Sequence, residues 1–252
     1  NRLRKQALLL KARFDARFWD PTQQYIYLAL DGSGEPCKVM SSNMGHCLWG
    51  GIVSEVQAHA ISRHLTSEAM FSGHGIRTLA DTEVAYNPLS YHNGSIWPHD
   101  NSIIAEGFRL YGQEKMLERL ALGLFGVLES SDDFRLPELF CGFRKRGFEP
   151  PIPYQVACKP QAWAAGSIFL LLKSLFGMSL PLEQAHLTLR SPILTSKIST
   201  VEIQGLRIRD SQLDLRLFRS GGATVVRSNL KKGNLRVLTV RSRSSSMLDS
   251  KA

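Results

Sequence analysis

The 252-residue chain predicts a mainly α-helical fold, laid out as a helical toroid with a pocket at one end, followed by a small C-terminal antiparallel β appendage. Three observations carry this. Apolar residues recur at helical spacing in five segments before Gly177. Long loops studded with Gly and Pro separate the helices and hold most of the aromatic, His, Asn and carboxylate residues. After Leu180 the period changes to the apolar–polar alternation of half-buried strands.

Leu3 to Phe18 places Leu8, Leu9, Ala12, Phe14 and Phe18 at helical spacing, and Asp20-Pro21 stops it. Tyr25-Ile-Tyr-Leu-Ala-Leu reads as an extended segment, turned by Asp31-Gly-Ser-Gly34. Val53 to Leu65 is a second helix. His99 to Tyr111 is a third, closed by Gly112 in the left-handed conformation that glycine adopts without cost. Glu114 to Leu128 and Gln161 to Phe176 are the fourth and fifth, the last with Gly177 as its stop. The loops between run over Glu35 to Gly51, Phe71 to Pro98 and Asp132 to Pro160. Strands are expected at Ala185-His-Leu-Thr-Leu, Thr200-Val-Glu-Ile, Leu206-Arg-Ile-Arg, Leu213-Asp-Leu-Arg-Leu, Thr224-Val-Val and Leu235-Arg-Val-Leu-Thr-Val. This divides the chain into a helical part, residues 1–180, a β segment, residues 181–240, and a disordered tail, residues 241–252.

Composition excludes several classes. With 43% hydrophobic and 21% charged residues the chain is an ordinary globular one. No apolar run reaches the ~18 residues of a membrane span; Lys173 interrupts the longest, Ile168 to Phe176. The start is basic but amphipathic, unlike a secretory leader, and it opens mid-helix on Asn-Arg-Leu-Arg-Lys, so sequence upstream is expected. The four cysteines, Cys37, Cys47, Cys141 and Cys158, lack CxxC spacing and are read as reduced thiols of a cytoplasmic protein. A zinc site built from His46 and Cys47 fits no common ligand spacing, so no metal and no cofactor is expected. The net charge of +9 comes mostly from the first turns and the stretch after Arg207. That stretch has no aromatic beyond Phe218 on which bases would stack, so it reads as a solvated strand face rather than a nucleic-acid platform.

Four constellations in the loops, the second of them in two stretches, hold the chemistry. Tyr91-His-Asn-Gly-Ser-Ile-Trp-Pro-His-Asp-Asn101 supplies an aromatic platform for the apolar face of a sugar and Asn, Asp and His for its hydroxyls. The plainer reading is a capped helix start, with Pro98 near the first position, Asp100 on the helix dipole and Trp97 in the core. Leu136-Pro-Glu-Leu-Phe-Cys-Gly142 puts Glu138 among apolar neighbours, where a carboxylate is paired, hydrogen-bonded or poised for proton transfer; Arg144 and Lys145 are the obvious ion partners. In Lys159-Pro-Gln-Ala-Trp-Ala-Ala-Gly166, Gln161 either caps a helix or binds sugar. Ser41-Ser-Asn-Met-Gly-His-Cys-Leu-Trp-Gly50 and Phe71-Ser-Gly-His-Gly-Ile-Arg-Thr-Leu79 each join glycine turns to a histidine, His46 and His74, that satisfied core positions would equally explain.

The order of these motifs, SSNMGHCLWGGI, MFSGHGIRTLA, YNPLSYHNGSIWPHDNSIIAEGFRLYG, LPELFCGF and ACKPQAWAAG, resembles the C-terminal half of the amylo-α-1,6-glucosidase (glycogen debranching) type of protein. The resemblance spans roughly residues 8 to 240. It implies an (α/α)6 toroid of six helical hairpins and inverting hydrolysis of α-glucosidic bonds in an α-glucan or a small α-glucoside. Inversion needs a raised-pKa acid and a water-activating base ~6.5–9.5 Å apart. The resemblance gives Glu138 the place of the base. It puts Tyr91, Asn93, Trp97 and Asp100 around the scissile sugar, and Gln161 and Trp163 in the PQAWAAG motif. The general acid of such proteins lies upstream, and no counterpart is found here; Asp100 is the one carboxylate that stands as a substitute. His74 also replaces an expected bulky aromatic. The expectation is a hydrolase fragment with little activity of its own. The alternative is a non-catalytic carbohydrate-binding relative.

Overall fold

The computed structural model describes residues 2–180 and 186–241. The chain forms two compact units, one ending at Leu170 and the other beginning at Leu171. The first holds α1 (Arg2–Phe18), the short strand pairs β1 (Trp19–Asp20) with β2 (Tyr25–Ile26) and β3 (Ala29–Leu30) with β4 (Pro36–Cys37), then α2 (Asn43–Trp49), α3 (Glu55–Leu65), α4 (Pro98–Leu110) and α5 (Glu114–Glu129). The last helix, α6 (Ala162–Phe176), crosses the division. The six helices of the described residues are half the complement of a six-hairpin toroid.

Three local differences from the sequence reading have physical causes. The segment expected as a loop from Glu35 to Gly51 contains α2, a seven-residue helix. Its apolar residues are too few to show a period, and it is held instead by close approach to α4. A Cβ on Gly45 would lie 2.5 Å from Ile104 Cγ1, and one on Gly107 would lie 2.6 Å from Leu48 Cβ, so the bare glycines set the helix spacing. The helix expected from Val53 starts at Glu55, because Ser54 makes a capping box: its side chain accepts from Gln57 N while the Gln57 side chain accepts from Ser54 N. Gly112 and Gly177 take positive φ of 65° and 57°.

The second unit contains β5 (Met178–Ser179), β6 (His186–Arg190), β7 (Thr200–Ile208), β8 (Ser211–Ser220), β9 (Ala223–Lys232) and β10 (Arg236–Val240). They form two three-stranded sheets, β10-β6-β5 and β7-β8-β9. The expected all-antiparallel appendage is corrected in one pair: β10 runs parallel to β6, and the chain between them makes the antiparallel β7–β8–β9 sheet. The two strands expected at Thr200 and Leu206 are one, β7, with an irregularity between Ile203 and Leu206 where Gly205 takes φ 66°. Leu213, Leu215 and Leu217 of β8 are buried in alternation. The expected disordered tail lies almost wholly outside the described residues.

The long loops of the first unit are stitched edge to edge by isolated backbone bridges: Ser41 to Leu79, Ile96 to Phe140, and Phe140 to Pro153. Ile96 and Phe140 exchange both hydrogen bonds, at 2.9 and 3.0 Å, and belong to a buried cluster with Val127, Leu136 and Ala164. Beside this bridge Gly142 faces Gly94 so closely that a Cβ on Gly142 would lie 1.7 Å from the Gly94 carbonyl oxygen. The contact joins the loop carrying Tyr91 to the loop carrying Glu138. Gly142→Ala is therefore expected to destabilise the helical unit by about 1–3 kcal/mol or more. Gly166→Ala, in α6 with open space around it, is expected to be neutral or stabilising by up to about 1 kcal/mol. Urea midpoints of the two variants followed by far-UV circular dichroism check this, and equal shifts would contradict it.

Candidate active site

The site is one cavity of about 570 Å³ in the first unit, walled by the loops around Ser41, Thr78, Tyr91, Glu138 and Gln161. Glu138, Tyr91, Asn93, Trp97, Asp100, Gln161 and Trp163 all line it. Residues distant in sequence meet there because the bridges above join the loops that carry them.

Glu138 is half-buried and held by two donors. The Tyr91 hydroxyl donates to Oε1 at 2.8 Å and the backbone N–H of Cys158 to Oε2 at 3.2 Å. The Glu138 N–H in turn donates to the Cys158 carbonyl at 3.0 Å, so main chain and side chain are fixed together. Arg144, offered by the sequence as an ion partner, instead pairs with Glu68 and Asp81. Each carboxylate oxygen retains a lone pair for a further donor such as water. The Glu138 carboxylate keeps the Tyr91 phenol above its ordinary value, chiefly through their hydrogen bond, so Tyr91 remains a donor at neutral pH.

Tyr91 begins a run of rings. It meets Trp97 edge-on at 4.8 Å and Tyr154 at 5.7 Å, and His92 stacks parallel to Trp97 at 6.0 Å. The Trp97 indole N–H donates to the Tyr91 carbonyl and to Ser95 Oγ, which fixes the ring that precedes α4. Trp163, at 67% exposure, tilts over His99 with ring centres 4.5 Å apart. Gln161 Oε1 accepts from Ala164 N at 2.9 Å, which caps α6, and the residue also borders the cavity. Asn93 is exposed at the rim.

Asp100 sits in the first turn of α4, where a carboxylate complements the helix dipole. Its Oδ1 lies 2.5 Å from His46 Nε2, while its buried Oδ2 has no hydrogen-bond partner among the described residues. Asn101 beside it is fully buried; its Oδ1 accepts from Ile76 N and its Nδ2 donates to the carbonyls of Ile76 and Trp97, pinning the loop from Phe71 to α4. Two of the three histidines that line the cavity, His46 and His99, are pushed in opposite directions. The hydrogen bond to Asp100 raises His46 against the opposing effect of burial, whereas burial lowers His99. His99 lies in the run read from sequence as supplying hydroxyl partners, whereas His46 was not assigned to the site; its signal was its place three residues after Asn43 on the face of a helix not recognised there.

Residues 1–137 match the model of the mannosylglycerate hydrolase MGH1-like glycoside hydrolase domain. No curated protein sequence matches the chain. Among solved structures, the GH63 mannosylglycerate hydrolase of Thermus thermophilus with Tris and D-glycerate is 22% identical, covering 64% of this chain and 36% of its own, at a TM-score of 0.50. The neutral trehalase Nth1 of Saccharomyces cerevisiae is 14% identical over 68% of this chain and 30% of its own, at 0.50. The GH78 rhamnosidase of Bacillus sp. GL1 is 14% identical over 93% of this chain and 22% of its own, at 0.61. At such identities the likeness is one of fold, that of (α/α)6 glycosidases, and the chain spans about a third or less of those proteins. The narrower amylo-α-1,6-glucosidase type is not what these matches show. No described helix is long and apolar enough to cross a membrane.

The His46–Asp100 pair makes stability depend on pH. Because His46 is raised above its ordinary 6.5, the folded state binds that proton more tightly than the unfolded chain. The contribution is fully present below about pH 6.5 and is lost as pH rises through the raised value. His46→Gln is expected to flatten that stretch of the stability curve. The His46 ring resonances of the native chain are expected to titrate above 6.5 by NMR; titration at or below it contradicts the assignment.

Proposed function

The chain belongs to the MGH1-like glycoside hydrolase domain family, and on that premise we propose that it carries the sugar pocket and the water-activating base of an inverting hydrolase acting on α-linked glucosides. The observation that carries the reading is the hold on Glu138. A carboxylate fixed by a phenol and a main-chain N–H, inside a cavity walled by rings, is oriented yet has acceptor capacity left for a water. In inverting hydrolysis that water attacks the anomeric carbon from the face opposite the departing oxygen, and Glu138 takes its proton as the C–O bond forms. Trp97 and Trp163 offer ring faces to the apolar side of the sugar. The unpartnered oxygen of Asp100, steadied through its other oxygen by His46, is an acceptor for a sugar hydroxyl.

Residues 1–180 are read as part of an (α/α)6 hydrolase domain and the β segment as its appendage, with α-glucan or a small α-glucoside as the substrate. The family's name adds a mannosyl glycoside as the competing sugar. No step of this chemistry calls for a metal or cofactor.

α-Glucosyl fluoride tests the base by itself, since fluoride departs without needing a proton from a general acid. The full chain is expected to hydrolyse it with β-glucose as the first product by proton NMR. Glu138→Gln should lower kcat by about 10²–10⁴-fold, and Tyr91→Phe by roughly tenfold. Faster turnover of α-mannosyl fluoride would move the substrate to the mannosyl series. Turnover indifferent to Glu138→Gln, or α-glucose as first product, would sink the proposal. Glucan binding without turnover, insensitive to Glu138→Gln and lost in Trp97→Ala, would establish the carbohydrate-binding alternative instead.

A further inference from the structure

A second cavity, of about 280 Å³, shares no lining residue with the sugar pocket. It is formed where an excursion of chain, residues 143–150, folds back beside the turn that carries His74. The stem of the excursion is tied by Cys141 N–H to the Ile152 carbonyl at 2.9 Å and by the Phe140–Pro153 bridge. Its middle is tied by Lys145 N–H to the Ser72 carbonyl at 2.8 Å, with the Lys145 side chain laid over Gly73, where a Cβ would come 2.7 Å from Lys145 Cβ.

The cavity is rich in positive charge and in donors. Arg144, Lys145, Arg146 and His74 line it, against one carboxylate, Glu149. Arg144 is already compensated by Glu68 at 3.2 Å and Asp81 at 3.7 Å. Lys145 and Arg146 form no ion pair among the described residues. His74 is 3% exposed, and its Nδ1 has no hydrogen-bond partner among the described residues. Its position is fixed, because Ser72 Oγ accepts from its N–H at 3.1 Å and its carbonyl lies against Gly123, 2.7 Å from where a Cβ would be. A buried imidazole nitrogen without a partner is costly, and neighbouring cations repel unless an anion lies between them.

We propose that this cavity is a binding site for a small phosphate-bearing anion, held by Lys145 and Arg146 with the His74 imidazole as its inner polar partner. A phosphate carries about −1.5 to −2 charges at neutral pH and three strong acceptor oxygens, which two uncompensated cations and a ring match better than a single carboxylate would. Occupancy would clamp the 143–150 excursion onto the Ser72–Gly75 turn. Without an anion, burial and the nearby Lys145 charge hold His74 at about 4; a bound anion favours its protonated form and moves that value up.

Isothermal titration of inorganic phosphate into the full chain at about pH 7.5, where phosphate is mostly dianionic, tests the proposal, with potassium chloride holding ionic strength constant. Saturable binding is expected, weakened roughly tenfold or more in the Lys145→Gln, Arg146→Gln double variant and unchanged in Glu138→Gln. The two basic side chains are exposed, so the double variant is expected to keep the native circular dichroism. On the native chain, phosphate should also raise the His74 titration midpoint by NMR. Acetate at matched ionic strength is expected to bind about tenfold more weakly. The proposal is overturned by no saturable heat, by binding that survives in the double variant, by binding altered in either direction in Glu138→Gln (which would put phosphate in the sugar pocket), or by equal binding of acetate.

Discussion

The loop end of the helical unit depends on one buried cation. Arg77 is 1% exposed, and a guanidinium so placed is destabilising unless its donors are taken up. Its Nε donates to the Gly142 carbonyl at 2.7 Å, and Nη1 donates to the carbonyls of Glu68 and Ala69 at 3.1 Å, with Asp81 at 3.7 Å beyond. The Gly142 carbonyl also accepts from the Tyr86 hydroxyl, and the Tyr86 ring lies against the guanidinium. One side chain thus fixes the turn after α3 and the strand-like stretch following Glu138. Carbonyl oxygens from both segments would lose a donor if either moved, so the loops hold position without regular secondary structure.

From that anchor the site follows as a sequence of forced neighbours. Gly142 is held by Arg77, and its bare Cα lets Gly94 approach. Gly94 N–H donates to Thr78 Oγ1, and Thr78 N–H to the Ser95 carbonyl, which sets the turn that presents Tyr91. Tyr91 then reaches Glu138. Glu138 is oriented by a chain of contacts that begins in the core, and a carboxylate on a loop gains the rigidity expected of one on a helix.

Five of the six described helices were legible in the sequence because each carries apolar residues at the helical period, and the glycine stops at Gly112 and Gly177 need φ values that other residues adopt poorly. That Tyr91, Asn93, Trp97, Asp100, Glu138, Gln161 and Trp163 would border one cavity was legible only through motif order, since nothing in the spacing of Tyr91 and Glu138 says that they touch. What stayed hidden depends on long-range packing. Helix α2 forms because Gly45 and Gly107 admit α4, a fact about two segments and not one. The parallel β10–β6 pair joins strands separated by a whole sheet. His46 looked like a core residue because its helix was unseen, and its partner lies fifty-four positions on.

The two carboxylates of the cavity are distinguished by what holds them. Glu138 is held by neutral donors, a phenol and a peptide N–H, which orient it without cancelling its charge. Asp100 is held by an imidazole whose pKa the contact raises, so one of its two oxygens is committed to that pair. A proton acceptor for water needs basicity, and a hydroxyl acceptor needs only a fixed lone pair. The first environment suits the base and the second suits a sugar-binding group. That contrast in partners, rather than carboxylate chemistry as such, is why Glu138 and not Asp100 is assigned the proton transfer.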